Sequence, residues 1–178
     1  MARRAAAPSA SHARAALGSL LLTCEHGGNL VPAAYAPLFN GHERMLNSHR
    51  GWDRGALELA GRLAARLQAP LRVALTSRLV VDLNRSLDNA QVFSPITRPL
   101  SEDERRRIVD AHYLPYRNEV RRAIASSTTS GPLVHVSVHT FTPVLRGERR
   151  KVDIGLLFDP RRHFEVRAVR AWERNLRS

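Results

Sequence analysis

The chain has 178 residues, 43% of them hydrophobic and 25% charged, a length and balance that suit one soluble domain with a real core. No apolar run approaches the roughly 20 residues of a membrane span, and the single cysteine, Cys24, excludes an internal disulfide, so a reducing, cytoplasmic setting is expected. A formal charge of +12 invites a nucleic-acid reading. However, every basic residue except Lys151 is arginine, the arginines are scattered, and no aromatic platform or zinc-finger spacing accompanies them, so a solvated basic surface is the better reading.

In chain order, Met1 to Leu17 is rich in alanine and arginine, and Pro8, Ser9 and Ser11 interrupt any helix, so it reads as a disordered arm ahead of a single domain spanning 18–178. Leu20 to Thr23 reads as a buried strand that ends in Cys24-Glu25-His26-Gly27-Gly28-Asn29. The two glycines permit a tight backbone path, which leaves Glu25, His26 and Asn29 at the strand's carboxyl end, the edge where open α/β sheets bind ligands. Val31 to Phe39, with two prolines, reads as a short irregular helix.

Asp53 precedes a helix whose apolar face is Leu57, Ala60, Leu63, Ala64 and Leu67. An aspartate there commonly caps the helix. Pro70 ends that helix, and Leu71 to Leu75 reads as a second strand. Arg78, Asp82 and Arg85 flank Leu79 to Val81; they read either as a solvated loop with a local ion pair or as a guanidinium clamp for a substrate carboxylate. Ser101 and Glu104 form a capping-box signature opening a long helix to about Ala125, with a kink expected at Pro115. Leu133 to Val138 reads as a strand ending at His139, Asp153 to Phe158 as a fourth strand ending at Asp159, and Arg161 to Leu176 as a last helix. Strands alternating with helices predict a mainly parallel, mixed sheet covered on both faces, an α/β/α sandwich.

His26, Asp53 and His139 thus fall at strand or helix ends. Two imidazoles and a carboxylate make a three-ligand set suited to catalytic zinc, whereas a structural site would want four ligands, usually several of them cysteines. Histidines that merely satisfy core hydrogen bonds are the alternative that spacing leaves open. Asp159 and Glu25 are the candidate general bases for a water on such an ion. No serine elbow, phosphate loop or dinucleotide fingerprint is present. Cys24 as a nucleophile beside His26 is disfavoured, since neighbours along a strand face opposite ways.

Five stretches taken together resemble the N-formylglutamate amidohydrolase family: Cys24 to Asn29 with Val31-Pro32, Trp52 to Ala56, Ser77 to Arg85, His139 to Pro143, and Gly155 to Asp159. They run in the family's order across roughly residues 19 to 165, and His112, Tyr113, Pro115 and Tyr116 resemble a further family segment. The resemblance implies a phosphorylase/hydrolase-like fold related to zinc carboxypeptidases, and hydrolysis of an amide bond in a small N-acylated amino acid, with N-formylglutamate giving formate and glutamate. Carried across by position, His26, Asp53 and His139 become zinc ligands, and Arg78 and Arg85, with Asn29 nearby, become substrate-binding groups. Family members run longer, so the chain is expected to lack a C-terminal part. That would leave a sheet edge open to pairing with a second copy, or make the chain a shortened, non-catalytic binding relative.

Overall fold

In the computed structural model, which describes residues 19–128, 131–145 and 147–176, the opening apolar run becomes the central strand of a sheet. That strand, β1 (Ser19–Cys24), pairs in parallel with β2 (Leu71–Val73) on one side and β3 (Leu133–Ser137) on the other. Leu22 lies opposite Leu71 and Cys24 opposite Val73, while Ser19 lies opposite Leu133 and Thr23 opposite Ser137. Parallel neighbours need crossover connections, and the chain supplies helices for both.

The first crossover passes through a 3₁₀ segment, Ala33–Phe39, and a single turn, α1 (Glu43–Leu46), before α2 (Ala56–Leu67). The second contains α3 (Glu102–Ile108) and α4 (Leu114–Thr128). Ser101 and Glu104 form the expected capping box: the Ser101 hydroxyl accepts from the Glu104 N–H at 3.3 Å, and the Glu104 carboxylate accepts from the Ser101 N–H at 3.1 Å. Pro115 has no N–H to give the preceding turn. Just ahead of it the helix widens into a π turn, Val109–Tyr113, and then continues, so the expected interruption appears as a bulge.

Alternation along β1 splits the core between the two faces of the sheet. Cys24 packs with Ala56 and Ala60 of α2 and with Val138. The larger cluster gathers Val80, Val81, Leu83 and Ile108 around Tyr116 and Val120 of α4, which lies against β1. Leu79, Val80 and Val81 are buried without forming a strand; the first two lie in a turn inside this core. The result is the expected mixed α/β architecture with a parallel sheet.

Residues 19–141 form one compact unit, and the residues from Thr142 onward belong to a second. The second holds an antiparallel pair, β4 (Val144–Leu145) with β5 (Glu148–Arg149), and α5 (His163–Leu176). The expected fourth strand is absent among the described residues: Asp153 to Phe158 has no regular structure. An extended segment becomes a strand only by pairing, and Gly155 in its middle weakens any intrinsic preference. The expected N-terminal arm lies outside the described residues. No helix among them is long and apolar enough to cross a membrane.

Candidate metal centre

His26 stands just past β1, His139 just past β3, and Asp53 on the approach to α2, so sheet topology brings together residues far apart in sequence. The turn after β1 hugs the end of β2: Gly27 N–H donates to the Ala74 carbonyl at 3.1 Å and Leu30 N–H to the Leu75 carbonyl at 3.0 Å. A Cβ on Gly28 would stand 2.6 Å from the Leu75 carbonyl oxygen, so close approach, not a left-handed backbone, demands this glycine. Asp53 N–H donates to the His26 carbonyl at 3.0 Å, which ties the two ligand candidates through the backbone. Asp53 does not cap α2. Gly55, at φ 81°, occupies the cap position with no side-chain bond, which leaves the Asp53 carboxylate for other partners.

Each histidine has one ring nitrogen committed to a neighbour. His26 Nε2 lies 2.8 Å from Asp82 Oδ1, both groups buried, so His26 carries its proton there and donates it. His139 Nε2 lies 2.9 Å from Ser137 Oγ. Ser137 gives its one hydroxyl proton to the Glu25 carboxylate, so its oxygen accepts from His139 Nε2–H. The Asn84 amide is 3.4 Å from the same nitrogen, too long to dictate the proton.

The hydrogen-bond network therefore turns both Nδ1 atoms inward, toward Asp53. His26 Nδ1 is 3.5 Å and His139 Nδ1 2.8 Å from Asp53 Oδ2. His26 Nδ1 and Asp53 Oδ1 are buried without a hydrogen-bond partner. Two ring nitrogens and a carboxylate converging on one point are a set that could hold a metal ion in place of the His139–Asp53 proton, and one ligand atom from each lies within 4.8 Å of the others.

The electrostatics agree. Burial alone would raise the pKa of Asp53, but hydrogen bonds from His139 and His26 and their charge outweigh it and hold the carboxyl below its usual range. Asp82 behaves alike, burial being overcome by His26 and then by Arg78. At His26 burial lowers the pKa, but the bonds to Asp53 and Asp82 prevail and raise it. Glu25 is 4% exposed, and its carboxyl is also lowered: burial opposes ionisation, and hydrogen bonds from Ser137, Thr23 and Tyr116 overcome it.

Arg78 donates to Asp82 Oδ2 at 2.8 Å and stands 3.5 Å from Asp53 Oδ1. Arg85 gives only its Nε to Asp82, at 3.2 Å, and its terminal nitrogens have no partner among the described residues. Asn29 is held to the Asn47 side chain at 3.0 Å. Asp159 belongs to the C-terminal unit, where its carboxylate pairs with Arg161 at 2.9 Å and accepts the Arg161 N–H. From sequence, Asp82 reads only as a local partner of Arg85, and nothing assigns a role to His49, which is 3.5 Å from Asp53 Oδ1, or to Ser137 and Tyr116. The i, i+2 step from Ser137 to His139 along one strand face is the available signal for the serine; nothing local marks the others.

The chain matches a family model described as N-formylglutamate amidohydrolase over residues 18–178. It is also similar to the crystal structure of gene product Atu2144 from Agrobacterium tumefaciens, with 35% identity and a TM-score of 0.73 over 80% of this chain and 60% of that one. The chain thus spans about 60% of that relative's length. No curated protein matches it.

Proposed function

Because the chain belongs to the N-formylglutamate amidohydrolase family, we propose that it hydrolyses the carbon–nitrogen amide bond of a small N-acylated amino acid, N-formylglutamate first among them, with a divalent metal, zinc, held by His26, Asp53 and His139. The observation that carries this is the convergence of both Nδ1 atoms on the Asp53 carboxylate, with His26 Nδ1 and Asp53 Oδ1 buried and without a hydrogen-bond partner. A core in which these histidines only satisfied each other's hydrogen bonds would leave no such gap.

Bound zinc would supply a water activated near neutral pH and polarise the scissile carbonyl. The chain's own residues do the rest. Asp82 holds His26 in the tautomer that presents Nδ1. Arg85, steadied at Nε, offers its terminal nitrogens, which have no partner among the described residues, to a substrate carboxylate in bidentate fashion. Arg78, tied to Asp82 and Asp53, tempers the negative charge of those two carboxylates.

Metal analysis of the purified protein with a His139→Ala variant, followed by a screen of N-formyl and N-acyl amino acids, tests the whole. Stoichiometric zinc lost in the variant, with formate released from N-formylglutamate, is the expected result. Full metal occupancy in the variant, or no divalent metal in the parent, overturns it. Arg85→Ala should raise KM for carboxylate-bearing substrates with little change for amides lacking the carboxylate.

A further inference from the structure

We infer that Glu25 is a positioning residue that acts through Ser137 to fix the tautomer and tilt of His139. It is then not a proton carrier; the inference rests on the metal reading above and deepens it. A general base needs an open lone pair within hydrogen-bond reach of the attacking water. Glu25 has neither opening nor exposure. Its Oε1 accepts from the Tyr116 hydroxyl at 2.9 Å, its Oε2 accepts from the Ser137 hydroxyl, and the residue is 4% exposed.

Sheet register explains the arrangement. Thr23 lies opposite Ser137 in the parallel pair, so Glu25 and His139, each two residues further on, follow on the same face at the ends of neighbouring strands. Glu25 Oε2 is 3.6 Å from His139 Nε2, too far for a direct bond, and Ser137 Oγ bridges them at 2.9 Å from that nitrogen. Tyr116, 7% exposed on α4, anchors the other carboxylate oxygen. The chain of donors runs in one direction at each end: Tyr116 O–H to Glu25, Ser137 O–H to Glu25, His139 Nε2–H to Ser137. A carboxylate accepts from the Tyr116 and Ser137 hydroxyls at once, which an amide with its single acceptor oxygen cannot do, and so leaves the Ser137 oxygen to accept from His139. That orientation holds a proton on Nε2 and so leaves Nδ1, which donates to Asp53 Oδ2 at 2.8 Å in the absence of an ion, as the nitrogen an ion would take.

The test compares wild-type protein with Glu25→Gln, Ser137→Ala and Tyr116→Phe, all as the full chain. Zinc affinity is read by competition with a chromophoric chelator. The tautomer of His139 is read in metal-free protein by long-range proton–nitrogen correlation at alkaline pH, where a free imidazole is neutral. The thermal midpoint of the metal-free form controls for folding. Glu25→Gln and Ser137→Ala should each lose about 10- to 100-fold in zinc affinity, the range seen when partners of metal-bound histidines are removed, and Tyr116→Phe less. The His139 signal should move from the Nε2–H form to a mixture in the first two variants, with little change in midpoint.

Wild-type zinc affinity and an unmoved tautomer in Glu25→Gln overturn the inference, whatever happens to turnover. If that variant does not fold, the same two measurements on Ser137→Ala decide the question. A wild-type protein that binds no zinc defeats the parent reading, while the tautomer measurement still decides the role of Glu25.

Discussion

Cys24 immediately precedes Glu25 and lies two residues before His26, yet chemistry there is closed to it. Its side chain is fully enclosed, and burial, with the charges of Glu25 and Asp53, pushes the thiol up to about 11. We expect no reaction with a thiol reagent in the native protein and one equivalent on unfolding in guanidinium; a fast native reaction would show the β1 end to be open. At the same scale, Asp53 and Asp82 carry pKa values depressed below the 3.8 of an ordinary aspartate. A carboxyl depressed in the folded state stabilises it above the unfolded value and ceases to as pH falls through the folded one. The urea midpoint of metal-free protein should therefore hold above pH 3.8 and drop below it. Asp53→Asn combined with Asp82→Asn should flatten that drop.

At the scale of elements, the turns beside the sheet tolerate less than the helices do. An added Cβ on Gly51 would stand 2.0 Å from the Leu46 carbonyl oxygen, and one on Gly28 would press the Leu75 backbone. Gly61, inside α2, would meet nothing within 4 Å. Gly51→Ala and Gly28→Ala should each cost about 1–3 kcal/mol or more, because backbone must move. Gly61→Ala should gain about 0.5–1 kcal/mol from helix preference alone. Urea denaturation of the three variants checks the order, and a neutral Gly51→Ala would show that the α1 turn shifts freely.

For the whole molecule, the candidate ligands come from two strand ends and one helix approach within residues 19–141, so an ion would pin separate parts of that unit together. Zinc at a hundredfold over its dissociation constant should stabilise the protein by about 2.7 kcal/mol. Thermal melts with and without zinc read this directly, and hydrogen exchange should slow around His26, Asp53 and His139. A melt that ignores zinc in wild type as it does in His139→Ala would argue against the centre.

The sequence by itself determined whatever depends on short-range pattern. Apolar runs marked β1 and β3, helical spacing marked α2, Ser101 and Glu104 marked a helix start, and the two histidines were placed at strand ends because His139 follows its apolar run directly and His26 follows its own within a few residues. Only the tertiary structure decided what depends on partners. It sent the Asp53 carboxylate to His139 instead of to a cap, tied Asp82 to His26 instead of to Arg85 alone, and closed both oxygens of Glu25 with hydroxyls from α4 and β3. It likewise left Asp153 to Phe158 unpaired. Propensity is a property of neighbouring residues, but a hydrogen bond across a sheet or between crossovers is fixed by register and packing, which no local stretch contains.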